Sequence, residues 1–205
     1  MSYAERTKRP PRTLTDREVK KILDVTGKAK DGFRDHMIIS LALGCALRES
    51  EIVALTIGDV AKPDGKTPKR IIQLRVFKRA ALDGNPNDHR VHVPDATYYK
   101  LEKYLAATKA AEFYPDTALF TSRQNMSLST RQVRWMFREW QKRAGFDQLY
   151  NFHSLRHTAI SAVRRKTGDI RIAQLFARHA NIATTARYDH PSDEEVARAV
   201  KELAA

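Results

Sequence analysis

The chain has 205 residues, 42% of them hydrophobic, which is enough for one packed domain and too apolar for a disordered one. Its 37 Lys and Arg against 24 Asp and Glu leave a formal charge of +13, which points to a polyanionic partner, nucleic acid first. The single cysteine, Cys45, excludes an intrachain disulfide and a cysteine metal site, and the longest apolar run, Met37 to Leu47, is too short for a bilayer; no membrane partner and a soluble, cytoplasmic protein are expected.

Residues 1–13, MSYAERTKRPPRT, are polar and basic and read as a mobile arm. One domain is expected from 14 to 205. Thr15 and Glu18 are spaced as a capping box, with Leu14 and Val19 at staple positions, so a helix starts near Asp16. A second helix, about Arg34 to Cys45, is apolar nearly all round and should be central. A short helix follows in GCALRESEIVAL and turns Ile52, Val53 and Leu55 inward. From Arg70 the period changes. RIIQLRVFK and HRVHVP alternate, and the turn formers DGNPND lie between them, which reads as a hairpin with a long polar loop.

Helices resume at ATYYKLEKYLAA, where Tyr98, Leu101 and Leu105 share a face. Ser129 and Gln132 form another capping box, opening a helix whose stripe of Val133, Met136, Phe137, Trp140 and Ala144 ends before Gly145. The remaining helices are a stretch from Ser154 to Lys166 stopped by Gly168, IRIAQLFARH capped by Asp169, a short one carrying TTARYDH, and SDEEVARAVKELAA with Val196, Ala199, Val200 and Leu203 on one side. The expected fold class is mostly α with a small antiparallel β-sheet, an α+β arrangement.

Within HSLRHTAISAVRRK, His153, Arg156 and His157 share one helix face. A basic helix start can hold a phosphate or stand as a solvated cap, and a lone arginine such as Arg48 or Arg156 is more often a surface ion-pair partner. The order gives the first reading its weight: His153 and Arg156, His179 after 23 residues, and Tyr188 nine later. ALRESEIVAL, HSLRHTAISA and ARHANIATTARYDH resemble the two arginine boxes and the tyrosine box of the tyrosine recombinases, the phage-integrase family. The resemblance runs from Leu14 to His190 and corresponds to that family's catalytic domain, with no separate N-terminal core-binding domain expected before it.

The resemblance implies that Tyr188 is a nucleophile, that Arg48, His153, Arg156 and His179 surround a DNA phosphate, and that Lys78 in LRVFKRA matches the family's hairpin lysine. Each role is chemically apt. Guanidinium forks match the nonbridging oxygens of a phosphodiester under attack. A phenol with a pKa near ~10 needs a proton acceptor, for which His153 is the candidate, and the leaving 5′ oxygen needs an acid, for which Lys78 is the candidate. His179 would donate to a phosphate oxygen. No cofactor and no metal are implied; HSLRH carries histidines four apart but lacks the glutamate of a zinc-protease helix.

The implied function is site-specific DNA recombination through a 3′-phosphotyrosyl intermediate. The alternatives are type IB topoisomerase-like relaxation and a catalytically idle DNA-binding regulator. The implied partners are double-stranded DNA and further copies of the chain, assembled on DNA through the C-terminal helix, in a prokaryotic, nucleoid-associated setting. Glu51 falls where the family has a supporting acid, and His157 is expected to pack and hydrogen-bond behind its helix rather than touch DNA. Two departures stand out: a hairpin loop longer than the common form, and FARH in place of Leu-Gly-His, where Arg178 implies either an adjusted turn or an extra phosphate contact.

Overall fold

The described residues of the computed structural model, 11–74 and 89–189 with Ala197, Val200 and Lys201, form helices around one strand pair. Helix α1 (Asp16–Lys28) opens as its capping box requires: the Thr15 amide donates to the Glu18 carboxylate at 2.8 Å, and Thr15 Oγ1 accepts from the Glu18 amide at 3.3 Å. Leu14, 3% exposed, sits beneath it. The chain before Leu14 differs from the expected mobile arm at its end. Arg12 donates to Gln148 Oε1 at 2.7 Å and lies over the Tyr150 ring, so an aromatic neighbour holds its apolar stem and charge together. Residues 1–10 lie outside the described residues.

Helix α2 (Phe33–Cys45) is the central element, buried on every side at Met37, Ile38, Ile39, Leu41, Ala42 and Cys45. It packs on α1 and on four elements that follow: α3 (Glu49–Ala54), α5 (Asp95–Ala107), α6 (Thr130–Arg143) and α7 (His153–Thr167). Burying a helix all round requires its polar residues to find partners. Asp35 does so by accepting from Trp140 Nε1 at 2.8 Å and from Arg34 Nε at 2.8 Å. Between α3 and α5 come the one-turn helix α4 (Ile57–Val60) and the strands β1 (Ile71–Gln73) and β2 (Arg90–His92), antiparallel with Ile72 opposite Val91. The expected hairpin is therefore present at its base. Its remainder, including Lys78, lies outside the described residues.

Helix α6 follows a second completed capping box at Ser129, and its stripe from Val133 to Ala144 is buried as expected. Helix α7 begins at His153, one residue earlier than the sequence reading, and ends at Gly168 with φ of 68°, the left-handed conformation that glycine adopts without strain. Helix α8 (Ile170–Ala177) is capped by Asp169 Oδ1, which accepts from the amides of Arg171 and Ile172. Helix α9 (Ile182–Ala186) is shorter than expected and earlier in the chain: Asn181 caps its start, and Tyr188 lies beyond its end, in a turn. Of the last expected helix only Ala197, Val200 and Lys201 are described, helical and exposed; Val196, Ala199 and Leu203 lie outside the described residues.

The interior divides in two. A large core joins α1 to α6 and the start of α7. A small second cluster, Ala46, Ala159, Ile160, Ala173 and Ala177, lies under α7 and α8, with Val163, Phe176 and Tyr188 packed against it.

Candidate active site

The site is built on two helix ends. A helix C-terminus leaves carbonyls without intrahelical donors and carries the negative end of the helix dipole, so it attracts buried cations. Helix α2 ends at Ala46, in a left-handed turn at φ 49°, and α8 ends at Arg178, at φ 54°. Arg156, only 1% exposed, reaches from α7 to both: Nη1 donates to the Ala46 carbonyl and Nη2 to the Ala177 carbonyl. One guanidinium thus fastens the ends of α2 and α8 together. Two of its five N–H groups meet those carbonyls. Burial, and then the charges of Arg48 and Arg178, push its pKa below the ordinary arginine value.

Arg48 is the N-cap of α3. Its amide donates to Glu51 Oε2 and its Nη1 to Glu51 Oε1, each at 2.7 Å, while its side chain stays 41% exposed. Glu51 also accepts from Arg178 Nη2 at 2.8 Å. Burial alone would raise the Glu51 pKa; Arg178, the Arg48 amide and the Arg48 charge outweigh it and hold the carboxyl below its usual range. Neighbouring Glu49 takes a bidentate clamp from Arg134 on α6, with Nε at 2.9 and 3.0 Å from the two carboxylate oxygens. Both acids that follow Arg48 in the first turn of α3 are therefore held by partners.

His153 and His157 occupy successive turns of α7, with ring centroids 4.6 Å apart and edge to face. The Tyr188 hydroxyl meets Nδ1 of His157 at 2.5 Å. Burial, then His153 and Arg187, hold the His157 pKa down to about 3, so at neutral pH the ring is uncharged, and in the tautomer protonated at Nε2 its Nδ1 accepts from the phenol. Burial raises the Tyr188 pKa, against the pull of Arg156, Arg187 and Arg48. His179 stacks on the Tyr188 ring at 6.2 Å, and its Nδ1 pairs with Thr185 Oγ1 at 2.9 Å. Burial and Arg156 hold His179 at about 4, and burial, Arg156 and Arg48 depress His153 as well.

Arg48, His153, Arg156, His179 and Tyr188 are thus brought into one cluster, Arg48 from the start of α3 and the others, some hundred residues later, from α7 and the turns after α8 and α9. Two expectations change. The hydroxyl's partner is His157, not His153; His157 is half-buried and hydrogen-bonded, but onto Tyr188 within the cluster and not behind its helix; the spacing of four that puts both rings on one face was the available signal. Arg178 fits neither expectation set for it. The turn keeps the conformation that suits a glycine, and the side chain, 4% exposed, goes to Glu51 and to the carbonyls of Cys45, Ala46 and Phe176. Lys78 lies outside the described residues. Strand β2 comes near one member of the cluster: its Arg90 and His92 line a cleft of about 470 Å³ with Arg178 and His179. Among the described residues, no group of three or more His, Cys, Asp or Glu is placed to hold a metal ion, and no helix is long and apolar enough to cross a membrane.

The phage integrase family model matches residues 12–195. The chain is 31% identical over 196 residues to the tyrosine recombinase XerC of Caldanaerobacter subterraneus, covering 94% of this chain and 51% of that protein. It is 29% identical to the tyrosine recombinase XerA of Pyrococcus horikoshii, covering 98% and 66%. A crystal structure of XerA recombinase superposes with a TM-score of 0.71 at 26% identity, over 94% of this chain and 63% of that one. The chain therefore spans between half and two thirds of the length of these relatives.

Proposed function

Because the chain belongs to the phage integrase family, we propose that it is a DNA strand-transfer enzyme that performs site-specific recombination through a 3′-phosphotyrosyl intermediate. The observation that carries this reading is the Tyr188 hydroxyl on a neutral imidazole, beside two guanidiniums. The phenolic oxygen attacks the scissile phosphorus, an O–P bond forms, and the bond to the 5′ oxygen breaks. The phenolic proton goes to His157. An arriving phosphate raises the depressed imidazole pKa values by adding negative charge, which moves His157 toward the basicity this transfer needs. Arg48 and Arg156 hold the nonbridging oxygens, where charge grows in the transition state, with His153 and His179 as further hydrogen-bond partners. Lys78, between β1 and β2, protonates the leaving oxygen; the position of β2 on the cleft beside His179 supports this assignment. The energy of the broken linkage is kept in the phosphotyrosine, so the second joining needs no nucleotide.

The partner is double-stranded DNA, consistent with the charge of +13. Copies of the chain assemble on it through the C-terminal segment that begins near Ser192, within a prokaryotic cytoplasm and on its nucleoid. The test is to incubate the chain with a library of circular duplex DNA and to recover covalent protein–DNA adducts after denaturation. Adducts with the parent and none with Tyr188→Phe are expected, together with DNA joined between molecules. DNA binding without adducts would make the protein an idle regulator, and relaxation without intermolecular joining would make it a topoisomerase.

A further inference from the structure

Arg178 stands at φ 54°, in the left-handed region that suits glycine and disfavours a long L side chain. Contacts of that side chain must offset the strain. Nη2 donates to Glu51 Oε2 at 2.8 Å and to the Ala46 carbonyl at 3.3 Å, and Nη1 reaches the Cys45 and Phe176 carbonyls, each at 3.4 Å. These acceptors belong to the protein, so Arg178 acts through Glu51 and not on a ligand. Glu51 in turn bonds Arg48 through its other oxygen. One carboxylate is shared by two guanidiniums of different exposure, Arg178 at 4% and Arg48 at 41%.

That sharing has an electrostatic result. A one-to-one pair of Glu51 with Arg48 would cancel the charge of the more exposed guanidinium. With Arg178 buried on the same carboxylate, Arg48, Arg156, Arg178 and Glu51 keep a surplus of two positive charges; without it the surplus falls to one. We propose that Arg178 is a positioning residue that balances the charge of Glu51, so that Arg48 presents an uncancelled guanidinium to the phosphate. The same side chain pins the end of α8 against the turn after α2, and so sets the backbone of the next residue, His179. The inference rests on the reading of Arg48 and Arg156 as a phosphate site.

Inorganic phosphate is the probe, titrated into the full chain and followed by the ring resonances of His153 and His179. Arg178→Gly suits the backbone and is expected to weaken phosphate binding roughly tenfold, about the effect of one uncompensated charge at close range. Arg178→Lys, which keeps the charge, is expected to stay within about threefold of the parent. The decisive variant is the double substitution Arg178→Gly with Glu51→Gln, which removes the charge that Arg178 balanced and restores the affinity. Rates of adduct formation on DNA are expected to follow the same order. Unchanged affinity in Arg178→Gly, a double variant no better than that single one, or a parent that binds no phosphate overturns the proposal. The titration needs no DNA cleavage, so a chain that binds phosphate in this pattern yet forms no adduct overturns the recombinase reading and leaves this inference standing.

Discussion

The phenolic oxygen of Tyr188 lies 2.5 Å from Nδ1 of His157, a residue 31 positions earlier, on the inward face of α7. The tyrosine is therefore already seated inside its own domain, against the ring of a second histidine, His179. His157→Ala should slow adduct formation by about two orders of magnitude, the usual worth of a positioned proton acceptor. His157→Gln, which can still hydrogen-bond but cannot take a proton, should be as slow as His157→Ala while keeping DNA affinity. A rate for His157→Gln close to the parent would show that the ring only places the tyrosine.

Arg156 has a structural task beside its proposed catalytic one, since it closes two helix ends that otherwise expose carbonyls. Arg156→Ala is expected to cost about 3 to 4 kcal/mol of barrier through the lost phosphate donor. It should also lower the denaturant midpoint, because the Ala46 and Ala177 carbonyls lose their shared donor. Arg156→Lys should restore charge but not the two-carbonyl span, so the midpoint should remain low. A variant with the parent's midpoint would contradict the fastening role.

Acid should destabilise the fold before it protonates most carboxylates. His36 and His179 sit at about 4 and His157 at about 3, against 6.5 for a free ring, and burial is the first cause in each. The unfolded chain binds more protons than the folded one between these values. Stability contributed by the neutral rings is thus fully present above pH 6.5 and is lost as pH falls toward about 4. Thermal melts at pH 7, 5.5 and 4.5 should show falling midpoints, and His36→Gln should flatten part of that slope. Equal midpoints across the series would contradict it.

Asp35 tests the large core. Its carboxylate accepts from the Trp140 indole inside the helix that everything else surrounds. Asp35→Ala should destabilise by about 1 to 3 kcal/mol, because a buried N–H is left without an acceptor. Urea unfolding measures it, and a loss below about 0.5 kcal/mol would mean that water replaces the carboxylate.

Helix positions were legible where local chemistry decides them. Thr15 with Glu18 and Ser129 with Gln132 are short-range caps, and both are formed at the expected residues. Gly168 ends α7 as a glycine past a basic last turn should. The end of α9 was misplaced because nothing local stops a helix at Ala186; the turn that carries Tyr188 answers to contacts with His157 and His179, which no window of sequence displays. The cluster's membership could be read because the boxes that resemble the family fix it. Its wiring could not. That Arg156 serves two helix ends, and that Glu51 serves two arginines, depends on where α2, α3, α7 and α8 come to rest. Arg178 was visible as an oddity in FARH, but its destination required the position of Glu51, 127 residues away.

The small cluster under the site is four alanines and one isoleucine: Ala46, Ala159, Ala173, Ala177 and Ile160. Side chains that stop at Cβ act as thin spacers, and their thinness fixes how closely α7 and α8 approach the end of α2. That separation is what lets one guanidinium reach the Ala46 and Ala177 carbonyls at once. The geometry of the proposed site is thus gauged by residues that carry no chemistry. Adding even two methyl groups at Ala159 or Ala173 would drive the helices apart beyond the span of Arg156 and lift Tyr188 off its seat, with every functional side chain still in the sequence.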